Sequence, residues 1–112
     1  MAEPSNLYAD RPGPGKVLHV IPSDCSWDGD WELTADLVVE IQASGEEVLA
    51  VSHHLTVEEY GEGASVEEAV QDLLTSLSEY RESLEEREAR LGASAAADLA
   101  KLRGIIRRCA HG

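Results

Sequence analysis

Glu59-Tyr60-Gly61-Glu62-Gly63-Ala64-Ser65-Val66-Glu67-Glu68-Ala69-Val70-Gln71-Asp72-Leu73-Leu74 is the stretch in which the chain changes its period. From Ser65 onward the apolar residues Val66, Ala69, Val70, Leu73, Leu74, Leu77, Tyr80 and Leu84 recur at spacings of three and four, which is one stripe of an amphipathic helix. Ser65-Val66-Glu67-Glu68 opens it as a capping box, in which the Ser65 hydroxyl accepts from the Glu68 N–H and the Glu68 carboxylate reaches back. Leu91 extends the stripe after a longer gap and Gly92 supplies a stop, so the spacing predicts a helix over 65–91. Its other face carries Glu67, Asp72, Glu79, Glu82, Glu86 and Arg90, with Glu86 and Arg90 in the favourable i,i+4 order.

Upstream, the pattern belongs to strands. Lys16 to Ile21 is a short run with β-branched residues ended by Pro22. In 31–41, Leu33, Leu37, Val39 and Ile41 fall on one face and Thr34, Asp36 and Glu40 on the other, the alternation of a half-buried strand. A turn at Ala43-Ser44-Gly45-Glu46 leads to Val48-Leu49-Ala50-Val51-Ser52. Leu55, Val57 and Tyr60 suggest a further extended piece that Gly61 and Gly63 stop. Closely spaced strands with short turns make an antiparallel meander. Downstream, Leu99, Leu102, Ile105 and Ile106 predict a second helix from Ser94 to about Arg108, with Lys101, Arg103, Arg107 and Arg108 in its last turns, where positive charge suits the helix dipole.

The expected fold is therefore α+β: a three- or four-stranded antiparallel sheet, a long helix on one face and a second, C-terminal helix. Val70, Leu73, Leu74 and Leu77 should pack on Leu37, Val39, Ile41, Leu49 and Val51. The punctuation Pro12-Gly13-Pro14-Gly15 closes a polar stretch without periodicity, which reads as a flexible arm over 1–15, leaving one domain over 16–112. With no Phe among 112 residues, the core has to be built mainly from Leu, Val, Ile and Ala.

Charge narrows the partners. Twenty-two acidic against nine basic residues give −13, a surface that repels phosphate backbones and anionic lipid and favours a basic partner. No apolar run approaches the roughly 18 residues of a membrane span, and Met1 to Ser5 lack the features of a signal peptide, so a cytoplasmic location is expected, without membrane or direct nucleic-acid binding. Cys25 and Cys109 match no disulfide or CxxC spacing and read as thiols of a reducing compartment.

The chemical motifs fall short. Asp24, Ser26, Asp28, Gly29 and Asp30 fit the first half of a calcium loop, but Ala35 stands where the bidentate Glu belongs, and Asp28-Gly29 fits a hairpin turn better. His53 and His54, adjacent on an extended chain, point to opposite sides, and His19 and His111 lie in separate elements, so no metal site is expected. There is no G-x-S-x-G elbow and no phosphate-binding glycine loop, and Cys25 gains a general base only if the fold brings a histidine to it. No catalytic residue and no cofactor is expected. The basic residues Lys101, Arg103, Arg107 and Arg108 lack aromatic interleaving, so contact with the chain's own acidic helix is the expected role.

Leu37-Val38-Val39-Glu40-Ile41, the turn at Ser44-Gly45-Glu46-Glu47, Val48-Leu49-Ala50-Val51-Ser52, and Glu59 to Leu74 with its Gly-x-Gly before Ser-Val-Glu-Glu-Ala together resemble the HicB-like antitoxin family over 37–86. The resemblance implies a degraded ribonuclease-H-like meander with a helix on one face, without nuclease carboxylates. It also implies a protein that binds and occludes a small basic toxin, commonly a ribonuclease. Two features depart from the family. His53-His54-Leu55-Thr56 stands where its loop is Pro-rich, and a single helix stands where many members carry a DNA-binding domain, so operator binding is not carried over. The expected function is thus a protein-binding antitoxin-type module that forms homo-oligomers; a stand-alone homo-oligomeric scaffold or regulator is the alternative, and a small enzyme ranks last. Glu58, Glu59 and Glu62, at the end of the meander beside an open strand edge, are the candidate partner-binding residues.

Overall fold

The elements run β1 (Lys16–Ile21), β2 (Ser26–Trp27), β3 (Trp31–Leu33), β4 (Leu37–Ser44), β5 (Glu47–Ser52), β6 (Glu59–Gly63), α1 (Val66–Glu86), a 3-10 turn (Glu88–Arg90), α2 (Ala93–Ile105) and β7 (Ile106–Arg108). They are seen in a computed structural model that describes residues 16–23 and 25–109; the arm expected over 1–15, Asp24 and His111 lie outside the described residues. The fold is α+β. An antiparallel four-stranded sheet has the order β1-β4-β5-β6, and a small three-stranded one the order β2-β3-β7.

Two turns set the registers. Gly45, at φ +62°, is the first residue of the two-residue connection between Ser44 and Glu47, a place where a hairpin needs glycine. Asp28 and Gly29 both have positive φ and reverse the chain between β2 and β3, with the Asp30 N–H donating to the Trp27 carbonyl. The calcium-like pattern is thus used as a hairpin.

α1 covers one face of the large sheet. Leu73, Leu74 and Leu77 are wholly buried, and the helix rests on Leu37, Val39, Ile41 and Ala50. Ser65 caps the helix as its spacing requires, accepting from the Glu68 N–H at 3.2 Å. The Glu68 carboxylate accepts from Ala64 N–H at 2.9 Å, one residue before the Ncap. The register pairs Ile41 with Ala50, so Ala50, not Leu49 or Val51, faces α1; Leu49 and Val51 belong to the opposite face. Gly61 and Gly63 do not stop the third extended piece but lie within β6, and Gly61 is where the helix comes closest to the strand.

The chain between Leu33 and Leu37 is not one continuous strand. Thr34 turns away there, its N–H donating to the Ile105 carbonyl and its hydroxyl to the Gly104 carbonyl, both at 2.8 Å or less. α1 ends at Glu86, before Arg90, so that pair does not share a helical turn; Arg81 and Glu85 do, at 3.2 Å. The second helix ends at Ile105, because Ile106 to Arg108 pair with Leu33 to Trp31 as β7. Trp31 is buried in this small sheet between two guanidinium groups, Arg108 at 4.4 Å and Arg81 at 5.5 Å from the ring centre. Among the described residues no helix is long and apolar enough to cross a membrane.

Candidate functional site

The face of the large sheet turned away from α1 has no strand or helix over it among the described residues, although Val51 at its centre is buried. Strand registers place Leu18, Glu40, Val51 and Tyr60 in one row across all four strands, with Val20 beside Val38 and Leu49 beside Glu62 in the flanking rows. Leu18 is 72% exposed and Val20 52%, and Val38 and Tyr60 are exposed too. An antiparallel sheet with solvent on one side normally alternates apolar and polar residues; here apolar side chains occupy both sides of β1 and β4.

A polar network bridges this face. His53 Nε2 lies 2.8 Å from Glu40 Oε1 and its Nδ1 2.9 Å from Glu58 Oε2, while the Tyr60 hydroxyl donates to Glu58 Oε1 at 2.6 Å. The hydrogen bond to Glu40, reinforced by the charge of Glu58, outweighs partial desolvation and holds the imidazole above its ordinary value near 6.5. A histidine raised in this way contributes stability that is fully present below pH 6.5 and fades as pH climbs through the folded value. An NMR titration of His53 should therefore show a midpoint above 6.5, and Glu40→Gln should lower it more than Glu58→Gln; a midpoint at or below 6.5 would mean that the bridge is absent in solution.

The three candidate glutamates are divided by the pleat. Glu58 joins the network just described, and Glu62 stands on the open face opposite Leu49. Glu59 faces the other way, half-buried, where desolvation and the nearby Asp98 carboxylate push its carboxyl up. The edge of β6 next to these residues is also occupied, since the Glu62 N–H donates to Asp72 Oδ2 at 2.9 Å and the Tyr60 carbonyl accepts from the Ser76 hydroxyl at 3.3 Å. α1 thus closes the β6 edge. The β1 edge, at the other end of the sheet, has no strand beside it among the described residues.

Asp98 is fully buried on the α1 side. It accepts from the Thr56 N–H at 2.8 Å, the Thr56 hydroxyl at 2.7 Å and the Tyr80 hydroxyl at 2.8 Å. Burial pushes its carboxyl up, but these bonds and the charge of Lys101 more than offset that and hold it below 3.8. Tyr80, desolvated and bonded to the same carboxylate, is pushed up to about 12. All the donors and acceptors serve to pin the 55–57 loop to both helices.

The remaining candidates are placed plainly. His54 Nε2 lies 3.3 Å from the Val38 carbonyl, and no group of three or more His, Cys, Asp or Glu among the described residues is arranged to hold a metal ion. Neither cysteine is in a disulfide; Cys25 and His19 line one cleft of about 360 Å³ with Val66, Glu67 and Val70. The basic cluster is turned on its own chain. Lys101 donates to the His54 carbonyl, Arg103 pairs with Glu85 and Glu88, Arg107 with Glu32, and Arg108 with Glu82. Such exposed pairs are each worth little, but they leave these cations already engaged.

No family model matches the chain, and neither a curated protein nor a solved structure matches it significantly. The residues that reading the sequence missed, Leu18, Val20, Val38 and Tyr60, had one signal: strands too apolar on both sides for a sheet that is covered on one.

Proposed function

We propose that this protein is an antitoxin-type binding module that holds a small basic protein, of the ribonuclease-toxin kind, against the open face of its four-stranded sheet in the cytoplasm. The observation that carries this reading is the exposed apolar group Leu18, Val20 and Val38 on the open face, with Tyr60 across Glu40 and Val51 in the same row and the carboxylates of Glu40, Glu58 and Glu62 among and beyond them. Exposed apolar side chains mixed with charge on one face mark a protein-binding surface, and the −13 charge selects a basic partner. The resemblance of 37–86 to HicB-like antitoxins supports the same kind of partner.

The test is co-expression with the product of the adjacent gene, followed by purification through a tag on that product alone. Co-purification of a small basic neighbour is expected, with growth arrest when this chain is lost. Failure of both would replace the antitoxin reading with that of a stand-alone oligomeric scaffold. Given a complex, Glu58→Gln with Glu62→Gln should slow association by about 5- to 10-fold at low salt and flatten its salt dependence. Glu59→Gln should leave both unchanged, because Glu59 lies on the helix side. Equal effects from all three would move the binding surface to the α1 side.

A further inference from the structure

We infer that β1 is a self-association edge, and that a second copy of this chain pairs with it antiparallel across a twofold axis to extend the sheet to eight strands. This contact uses the backbone edge of β1; it shares the exposed side chains of Leu18 and Val20 with the face proposed above, so its test reads self-association of this chain alone, with no partner present.

The two edges of the large sheet are treated differently. At β6 the outward backbone groups of Tyr60 and Glu62 are taken by Ser76 and Asp72 of α1. At β1 no strand or helix does the same among the described residues, and apart from Lys16 at its first position the strand, Lys-Val-Leu-His-Val-Ile, lacks the devices that normally blunt an edge. It has no proline, no inward charge and no bulge, and its register with β4 is unbroken over six pairs. Val17, Leu18 and Val20 are all exposed.

Charge identifies the occupant. A chain at −13 repels its own copies wherever carboxylates line the contact, and β1 carries no acidic residue. β1 itself offers a basic partner no carboxylate, and although Glu67 lines the cleft beside it, two β1 strands paired over 17–21 meet through apolar and histidine side chains. Pro22 ends the strand and has no N–H to give; a register centred on His19 sets 17–21 against 21–17 of the copy, pairing five of the six residues and leaving the charge of Lys16 outside the paired stretch. On the open face this puts Leu18 beside the copy's Val20. On the helix side it puts Val17 beside the copy's Ile21, at the mouth of the cleft that Val66 borders. An isologous contact of this kind closes at two copies and leaves no free edge of the same type.

Light scattering of the full chain over a range of concentration and salt tests this. A dimer is expected, and it should tighten several-fold as NaCl rises from about 0.05 to about 0.5 M, because salt screens the repulsion between two acidic bodies. A complex with a basic partner would weaken over the same range, so the two readings fail separately. Leu18→Lys with Val20→Lys, at exposed positions that the fold does not need, should raise the dimer dissociation constant by at least about 100-fold with an unchanged circular dichroism spectrum. His19→Cys, in a chain also carrying Cys25→Ala and Cys109→Ala, should be joined to its copy by a short bifunctional thiol reagent, and Glu62→Cys in the same background should not. A monomer under all conditions, which would leave the edge to residues 1–15 or to a foreign strand, overturns the inference. So does a dimer indifferent to the two lysines.

Discussion

Replacing Gly61 by alanine is expected to cost about 3–5 kcal/mol, more than overpacking usually does, because the atoms in the way are backbone. A Cβ on Gly61 would lie 2.1 Å from Leu73 N and 2.2 Å from the Ala69 carbonyl oxygen. No rotamer change can clear either. α1 would have to lift off β6, and with it would go the burial of Ala69, Leu73 and Leu77 and the hold of Asp72 and Ser76 on the strand edge. Against a typical stability of about 5–15 kcal/mol this brings the fold close to its limit. Denaturant melts of the variant would measure it, and a loss under about 1 kcal/mol would show that the helix does not sit so near the strand. The glycine is needed here for closeness alone, since its φ is not in the left-handed region.

The second large effect is expected at Asp98. Alanine there strands the Thr56 N–H, the Thr56 hydroxyl and the Tyr80 hydroxyl in a buried place, at a cost of about 3–5 kcal/mol. Asparagine keeps the shape and one acceptor oxygen, so it should cost less, and the order Ala worse than Asn separates lost hydrogen bonding from lost volume. The pH dependence has a definite sign. A carboxyl held below its unfolded value of about 3.8 contributes stability that is complete above that pH and lost as pH falls through the folded value. Asp98→Asn should therefore flatten the acid limb of the stability curve below about pH 4 while leaving the neutral region uniformly lower. An unchanged acid limb would mean that the carboxylate is not ionised in the fold.

Much of the fold was legible because it is local. The α1 stripe, its Ser65 cap and the β4–β5 hairpin depend on residues within a few positions of one another, and all appear where their spacing puts them. The break at 34–36 was hidden by parity: Leu33 and Leu37 are four apart, so a bend between them leaves the alternation intact. What bends the chain is Gly104 and Ile105, about seventy residues away. The same distance hid β7. Ile105 and Ile106 fit a helical stripe as well as a strand, and only the pairing of Ile106 with Leu33 decides between them. The glycines of β6 misled for a different reason, since a residue without a side chain marks either a turn or a close approach, and sequence alone does not separate the two. For the candidate face, the acidic rim was visible in composition, but the pleat that divides Glu59 from Glu58 and Glu62 follows from a register that only the assembled sheet defines.

Both tryptophans of the chain, Trp27 and Trp31, lie in the small sheet, and Trp31 is flanked by the guanidinium groups of Arg81 and Arg108. The intrinsic fluorescence of this protein is therefore a local signal. Trp31 meets the last strand, and both rings meet the long helix, through Trp27 Nε1 donating to Ser78 and Arg81 over Trp31. Emission therefore reports the joining of the small sheet, with pairings some 75 residues apart, to the helix it rests on, while far-UV ellipticity is weighted to the 21 residues of α1.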